Sequence, residues 1–287
     1  MTYDNRNILD LFQPSQTIKR YHYNGHEDEK VPKDVTHVTI DESVEIIKKC
    51  TFINCKYLCW VFMYDNVTTI EEQTFMGCGC LKFIRLSKTL KHIKCQAFEQ
   101  CLGLEVIFLP NTIKTLGFSI FEYCRRLKML QLPPNEEDFK TKQAIIAETK
   151  IEFIAKNKGI KYREAEGYGD FYTARSNRIV NKWLIHHMDD FPLHKICYSS
   201  SVTTEKINLY LNQHGHNSAQ TKDTTYGMIP LHILSMNPYA ETDTIKVLMT
   251  IKNETALYTD NDNMTPLDYA TNFNFKALVK MMKILIK

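Results

Sequence analysis

The sequence predicts an α+β repeat protein, in which a β-solenoid is followed by an all-α module of helix pairs. The first observation is a pattern of apolar residues that recurs every 23 residues between Val35 and Pro133. A repeat of this length is typical of solenoids, in which each coil buries its apolar residues against its neighbours. The second is a short alternating apolar stretch in each unit, which is typical of a β-strand. The third is a Pro-Leu pair that recurs three times after Arg175, each time before a helical pattern.

Equivalent positions in successive units form columns of like residues. A phenylalanine column is followed three residues later by a cysteine column, and a leucine column and an apolar strand column come next. These columns are Phe52, Phe75, Phe98 and Phe121; Cys55, Cys78, Cys101 and Cys124; Leu58, Leu81, Leu104 and Leu127; and Val38, Val61, Ile84, Ile107 and Leu130. Because residues one repeat apart are neighbours in a solenoid, we expect every column to form a continuous line inside it.

The units resemble BspA-type leucine-rich repeats, which read roughly L-x-x-I-x-L-P-x-x-V-x-x-I-G-x-x-A-F-x-x-C. Residues 104–124, LEVIFLPNTIKTLGFSIFEYC, match this pattern and keep its proline and glycine at Pro110 and Gly117. The preceding unit departs from it, because Ser87 and Lys94 stand at those two positions. The resemblance implies a leucine-rich-repeat β-solenoid.

The three Pro-Leu pairs lie in openers that begin at Phe191, Ile229 and Thr265, spaced by 38 and 36 residues. They resemble the T-P-L-H opener of ankyrin repeats, which implies that each begins the first helix of a pair. The predicted second helices span 206–211, 244–249 and 275–285, and a further helix is predicted over 179–189. Only Thr265 keeps the threonine, and Asp268 replaces the third histidine. We therefore interpret these units as degenerate ankyrin-like repeats.

These patterns divide the chain into four predicted segments. They are an N-terminal arm and cap (1–34), the leucine-rich-repeat solenoid (35–133), a capping helix with a connector (134–172) and the ankyrin-like repeats (173–287). The capping helix is predicted over 141–156 and is ended by Gly159. Over residues 20–287, the fusion of BspA-type and ankyrin-like units resembles a family of predicted diatom proteins.

Composition limits the class of partner and the compartment. The 36 basic and 33 acidic residues give a net charge of +3, which is too small and too mixed to predict a nucleic-acid partner. No secretory signal or membrane-spanning apolar run is recognisable in the sequence. Nine cysteines without an export signal favour free thiols in a reducing compartment. We therefore expect a cytoplasmic or nuclear protein that is not secreted.

The cysteines and histidines could suggest metal binding or catalysis, but a structural role accounts for them. The cysteine column could suggest a metal site or disulfides, but it shares the inward face with the phenylalanines, so we predict buried structural thiols. A second group, the histidines, is predicted to have surface or capping roles. These histidines are His186, His187, His194, His214 and His216. Since no Ser-His-Asp or Cys-His arrangement has a supporting context, we predict no catalytic residue, no metal, no cofactor and no enzyme.

The outward positions of the predicted strands are unusually apolar. Six of ten residues in the two outward columns are apolar, whereas a free sheet face is normally polar. Aromatic residues and arginine also dominate the hot spots of protein interfaces. The candidate protein-binding residues are Trp60, Phe62, Phe83, Arg85, Val106, Phe108 and Met129. Two alternatives remain: an external partner covers this face, or the arm, the capping helix or the ankyrin-like module does.

The function predicted from these features is that of a non-enzymatic scaffold, a monomer that binds another protein. Both repeat types resemble families that are used for recognition. The main alternative is a cell-surface adhesin, the role associated with bacterial BspA-type proteins. An enzyme is the third class, and it would require a polar pocket with perturbed titratable groups.

Overall fold

The computed structural model describes residues 17–133, 145–160, 164–166, 169–171 and 174–286. The described N-terminal part is a parallel β-solenoid, and helices follow it, as predicted. Its strands are β1 (Arg20–Tyr23), β2 (His37–Ile40), β3 (Ile46–Ile47), β4 (Trp60–Met63), β5 (Thr69–Ile70), β6 (Phe83–Arg85), β7 (His92–Ile93), β8 (Val106–Ile107), β9 (Thr115–Leu116) and β10 (Met129–Leu130). Of the predicted N-terminal arm and cap (1–34), residues 1–16 lie outside the described residues.

Two parallel sheets form opposite walls of the solenoid. One has the order β1-β2-β4-β6, with the pair β8-β10 following, and the other has the order β3-β5-β7-β9. The register follows the sequence repeat, because His37 pairs with Trp60, and Trp60 pairs with Phe83. The predicted inward column from Val38 to Leu130 is buried throughout. The repeat therefore fixes both the pairing of the strands and the face that each residue occupies.

The phenylalanine column is a stack of rings that runs through the core. The ring centroids of Phe52 and Phe75 are 5.1 Å apart, those of Phe75 and Phe98 are 5.2 Å apart, and those of Phe98 and Phe121 are 5.8 Å apart. Tyr23 covers the first ring edge-on at 5.4 Å. Since these rings are fully buried, the stack supplies a large share of the apolar burial that holds successive coils together.

The cysteine column lies beside this stack and is buried, as predicted. Each thiol in the later coils contacts a carbonyl oxygen of the preceding coil. The Sγ atoms of Cys78, Cys101 and Cys124 lie 3.2, 3.2 and 3.0 Å from such oxygens. Burial raises the pKa of the Cys78 and Cys101 thiols, so they remain protonated. These cysteines act as small core residues and weak donors.

A residue in the left-handed backbone conformation lets each coil turn between its Phe and Cys columns. Asn54, Gly77, Gln100 and Tyr123 occupy this position with φ of 57°, 74°, 60° and 60°. Backbone N–H groups at the first three donate to carbonyl oxygens of the next coil at 2.8 to 2.9 Å. These hydrogen bonds offset the strain that a non-glycine residue experiences in this conformation.

The C-terminal end of the solenoid is covered by two helices, α1 (Lys150–Asn157) and α2 (Ala174–His186). Ile151 and Ala155 of α1 and Leu184 of α2 are buried in the solenoid core. Backbone hydrogen bonds from Ile151 to Leu127 (2.8 Å) and from Leu132 to Leu184 (3.2 Å) join these helices to the last coil. The apolar end of the solenoid is therefore shielded from water.

The structure corrects the predicted limits of this region. The helix predicted over 141–156 begins only at Lys150; residues 145–149 form turns, and 141–144 lie outside the described residues. Glu148 has a φ of 56°, which interrupts a helix. The hydroxyl of Thr149 then accepts a hydrogen bond from the Glu152 N–H at 3.2 Å and caps the new helix. In the predicted connector, β11 (Glu164–Glu166) and β12 (Gly169–Phe171) form an antiparallel pair.

Three helix pairs follow, and we call them the helix-pair module. They are α3 (Pro192–Tyr198) with α4 (Thr204–His214), α5 (Pro230–Met236) with α6 (Thr242–Ile251), and α7 (Pro266–Phe273) with α8 (Phe275–Leu285). Short 3-10 helices at His216–Gln220 and Asn253–Leu257 follow α4 and α6. Helices α4 and α6 each begin two residues before the predicted limits and end two or three residues after them, whereas α8 matches the prediction. The helix predicted over 179–189 corresponds to α2, which begins earlier, at Ala174, and ends at His186.

The openers make repeated contacts between neighbouring pairs. The Nε2 atom of His194 lies 2.8 Å from the Met228 carbonyl oxygen, and that of His232 lies 3.1 Å from the Met264 carbonyl oxygen. At Thr265, the hydroxyl accepts from the N–H of Asp268, while the Asp268 carboxylate accepts from the N–H of Thr265 at 2.8 Å. Thus Asp268, which replaces the histidine of the motif, completes a capping box.

A candidate protein-binding groove

The strand face that carries the seven candidate residues is divided by the helix-pair module. The module packs over the last two strands, β8 and β10, and leaves β4 and β6 partly open. Core residues Val106, Phe108 and Met129 are 5%, 3% and 0% exposed and cluster with residues of the helix pairs. The Phe108 ring stacks on that of Tyr198, with the centroids 4.6 Å apart. The part of the outward face on β8 and β10 is therefore buried, and the part on β4 and β6 remains partly exposed.

This arrangement corrects the prediction for Val106, Phe108 and Met129. They point away from the solenoid core, as the strand alternation predicts, but the helix-pair module covers them. Their side chains stabilise the junction between the two parts of the chain and are not accessible to a partner in this structure. Intramolecular cover, one of the two alternatives, applies to these three residues.

Three tyrosines of the helix-pair module donate hydrogen bonds to carbonyl oxygens of the solenoid. The hydroxyl of Tyr239 donates to Leu86 at 2.8 Å, that of Tyr226 donates to Lys128 at 2.6 Å, and that of Tyr198 donates to Ile107. We call these the tyrosine bridges. Burial raises the pKa of all three phenols, so each hydroxyl keeps its proton and remains a donor. Sequence reasoning missed them because a tyrosine at a helix end or in a loop carries no recognisable signal.

Replacing Tyr226 with phenylalanine is expected to destabilise the protein by about 1 kcal/mol, because the buried Lys128 carbonyl oxygen loses a donor. The midpoint of urea unfolding measures this effect. The matched control is Tyr57→Phe, since Tyr57 is 52% exposed. If both variants unfold at the same urea concentration, the bridge contributes nothing to stability.

The four remaining candidate residues line one wall of a groove at the edge of the covered region. Trp60, Phe62, Phe83 and Arg85 are half-buried and line a groove with a cavity volume of about 150 Å³. The opposite wall comes from Pro238, Thr271, Asn272, Phe273, Asn274 and Lys276, residues of α7, α8 and a preceding loop. We call this the aromatic groove. It is the place where the structure brings sequence-predicted site residues together with residues that the sequence did not indicate.

The rings on the strand wall form an ordered stack. Trp60 stacks on Phe83 at 5.4 Å with the ring planes 9° apart, and on Phe62 at 5.8 Å. On the side of the preceding coil, Trp60 also stacks on His37 at 6.0 Å. Because adjacent parallel strands place equivalent side chains about 4.8 Å apart, the repeat itself produces this stack. Each of these rings is therefore held in a fixed position by its neighbours.

Arg85 contacts both the solenoid and the helix-pair module. Its guanidinium lies 4.9 Å from the centre of the Phe62 ring and 5.4 Å from that of Tyr239. It also forms an ion pair with Asp65 at 3.0 Å. Burial alone would raise the pKa of Asp65, but hydrogen bonds from the Arg85 side chain and the Lys88 N–H outweigh it and lower that pKa. The ion pair with Asp65 therefore holds the guanidinium in a fixed orientation beside the aromatic rings.

The predicted histidine group does not form a site. The ring of His186 lies 2.6 Å from Asp189, His194 contacts the Met228 carbonyl oxygen, and His214 stacks on Tyr210. Burial lowers the pKa of His187 to about 4, so this ring is neutral at physiological pH. Over the part of the chain that the structure describes, no three His, Cys, Asp or Glu residues are placed to hold a metal ion. Nor is any helix within that part long and apolar enough to cross a membrane.

Comparison with known proteins agrees with the geometry of the N-terminal part. Its repeating parallel strands and inward Leu column define a leucine-rich-repeat solenoid. Residues 31–152 match the family model described as the BspA type leucine rich repeat region, in six copies. The chain thus contains a BspA-type leucine-rich repeat region, as the resemblance implied. No curated protein matches the chain.

Solved structures with some similarity are also leucine-rich repeat proteins. One from T. pallidum shares 25% identity over 37% of this chain and 50% of its own, with a TM-score of 0.34. A leucine rich cell surface protein from Faecalibacterium prausnitzii shares 28% identity over 40% of this chain and 31% of its own, also with a TM-score of 0.34. One from Bacteroides ovatus shares 31% identity over 36% of this chain and 33% of its own, with a TM-score of 0.30. The chain therefore spans half or less of each.

Proposed function

We propose that this protein is a non-enzymatic scaffold that binds a segment of another protein in the aromatic groove. The observation that carries the proposal is the ordered stack of Trp60, Phe62 and Phe83, which lines an open groove between the solenoid and α7. Aromatic side chains beside an oriented arginine are the residue types that supply most binding energy in protein interfaces. Leucine-rich repeat proteins are typically non-enzymatic, which agrees with this role.

The energetics of the groove favour a bound segment over water. Phe62 and Phe83 both stack on Trp60, and all three rings are only half-buried, so each retains exposed surface. Covering apolar surface contributes about 25 cal/mol per Å². One wall of the groove belongs to the solenoid and the other to the helix-pair module. Because the tyrosine bridges join these two parts, the groove has a defined width. A partner that presents one large apolar side chain would complete the stack.

We further propose that the helix pairs are degenerate ankyrin-like repeats, which supply the second wall. Each His-to-carbonyl contact joins one opener to the next, as a repeating unit requires. The turns before the second and third openers are also equivalent. The Asp223 carboxylate accepts hydrogen bonds from the N–H groups of Thr225 (2.7 Å) and Met228 (2.9 Å), and that of Asp260 accepts from Asp262 and Met264.

The proposed setting is a monomer in the cytoplasm or nucleus, without membrane or nucleic-acid partners. The same groove would also serve an adhesin on the cell surface, because both functions require only a protein-binding surface. Microscopy of a tagged full-length protein separates the two: signal inside the cell supports the scaffold, and labelling of intact cells by an impermeant antibody supports the adhesin.

The test of the groove is the double variant Trp60→Ser/Phe83→Ser. We expect each true hot spot to weaken partner binding by about 2 kcal/mol, while the fold is retained because the inward columns are unchanged. Affinity purification with quantitative mass spectrometry, compared with wild type, measures the loss of partners. Circular dichroism confirms that the variant is folded.

The matched control is Phe153→Ser/Leu209→Ser, which removes two apolar side chains that are 63% and 60% exposed and lie outside the groove. It should retain the partner set. A folded groove variant that keeps every partner contradicts the proposal and transfers the binding surface to another part of the molecule. If the groove variant is largely unfolded, and the fraction that remains folded still binds the partners, the rings have a structural role and do not bind the partner.

A further inference from the structure

A basic cleft lies directly beside the aromatic groove, between the last coils of the solenoid and the helix-pair module. Its cavity volume is about 430 Å³. Five cationic side chains line it: Lys82, Arg125, Arg126, Lys128 and Lys150. Two carboxylates, Glu105 and Asp262, also face it, which leaves an excess of three positive charges. The whole chain has a net charge of +3, so the excess in the cleft equals that of the entire chain.

The repeat produces part of this arrangement. Lys82, Glu105 and Lys128 occupy equivalent positions in three successive coils, each directly before a strand of the outward face. Their side chains therefore line up along one edge of the face. Arg125 and Arg126 belong to the turn that precedes Lys128, and Lys150 begins α1. Cations from distant positions in the sequence are thereby brought to one concave surface.

The carboxylates in the cleft neutralise only some of the cations. Glu105 pairs with Arg126. Asp262 lies 2.6 Å from the Lys128 ammonium and 3.7 Å from that of Lys150. Among the residues that the structure describes, Lys82 and Arg125 form no ion pair, and both are exposed. These two cations are available to an anionic ligand.

The cleft and the groove are continuous. Asn272 and Phe273 at the end of α7 line both cavities. Along the solenoid wall, Lys82 in the cleft directly precedes Phe83 in the groove. An extended segment that places an apolar side chain on the aromatic rings would therefore pass over the basic cleft without leaving the surface.

We infer that the partner segment is acidic: a large apolar side chain fills the aromatic groove, and neighbouring Asp or Glu carboxylates contact Lys82 and Arg125. This inference rests on the proposed function and names the class of its partner. Charge complementarity selects this occupant, because a neutral segment would leave the cationic excess of the cleft unpaired. A nucleic-acid strand fits less well, since its continuous phosphate backbone would also meet Glu105 and Asp262.

The probe is a display library of random linear peptides, selected on the full chain and counter-selected on the Trp60→Ser/Phe83→Ser protein. We expect the groove-dependent peptides to combine an aromatic or large aliphatic residue with neighbouring Asp and Glu. Fluorescence anisotropy then measures synthetic peptides against the Lys82→Glu/Arg125→Glu variant. Affinity should fall by about tenfold or more, and the difference should shrink as salt is added.

The control variant is Lys56→Glu/Lys246→Glu, which makes the same charge change at two exposed lysines outside the cleft. It should bind the peptides almost as wild type does. Groove-dependent peptides that are neutral or basic, or equal affinities for the two charge-reversed variants, overturn the acidic partner and leave the groove proposal intact. A selection without groove-dependent peptides overturns both. Tighter binding of single-stranded RNA than of any selected peptide overturns the inference in favour of nucleic acid.

Discussion

Replacing Phe98 with alanine is expected to cost about 4 kcal/mol of folding free energy, the typical loss for a buried aromatic ring. Phe98 is 0% exposed and lies between two other rings, with centroids 5.2 Å from Phe75 and 5.8 Å from Phe121. Its removal leaves a cavity that the neighbouring coils cannot close, because the backbone hydrogen bonds of each coil fix their spacing. Urea unfolding followed by circular dichroism measures the shift of the midpoint.

The matched control is Phe118→Ala. Phe118 is 45% exposed and lies one coil further along the same solenoid. We expect its loss to change stability by about 0.5 kcal/mol at most. Because coils in a solenoid contact only their neighbours, the Phe98 variant should also unfold over a broader range of urea than wild type. Equal midpoints for the two alanine variants would show that the ring stack does not hold the coils together.

Gly117→Ala is expected to cost about 3 kcal/mol through overpacking. A Cβ atom at Gly117 would lie 2.3 Å from the Cys95 backbone nitrogen and 2.5 Å from the Lys94 carbonyl carbon. These atoms belong to the backbone of the preceding coil, so they cannot rotate away as a side chain can. The hydrogen bond from the Gly117 N–H to the Ile93 carbonyl oxygen, at 2.8 Å, further fixes the approach. Thermal unfolding of the purified variant measures the loss.

Gly79→Ala provides the comparison, since a Cβ atom there meets no other atom within 4 Å. It should unfold within a degree or two of wild type, as surface substitutions commonly do. A Gly117 variant as stable as the Gly79 variant would mean that the two coils can separate at no cost.

The solenoid could be predicted in detail because every coil repeats the same contacts. The strand column from Val38 to Leu130, the ring stack and the buried thiols all follow from a 23-residue spacing. The start of α1 could not, because it depends on the left-handed conformation of Glu148, a single local event without periodicity. The pair β11 and β12 was missed for a similar reason: two strands of three residues are too short to show alternation.

The candidate site was predictable as a face but not as a groove. Alternation along the strands identified the outward aromatic residues, including Trp60 and Phe83. Which part of that face the helices cover depends on the tyrosine bridges, which come from loops and helix ends and obey no repeat. Phe273 and Lys276 of the second wall could not be predicted either. Their position opposite Trp60 depends on how the helix-pair module packs against the solenoid, which the sequence does not indicate.

The tyrosine bridges also limit how the chain can evolve by gain or loss of whole repeats. They bond carbonyl oxygens at Leu86, Ile107 and Lys128, one in each of three consecutive coils. Unequal recombination that inserts or deletes a coil within this stretch would shift one acceptor out of reach of its tyrosine. The same event upstream of Leu86 would leave all three bonds unchanged. We therefore expect related chains to differ in the number of coils on the N-terminal side and to keep the three C-terminal coils together with the helix pairs.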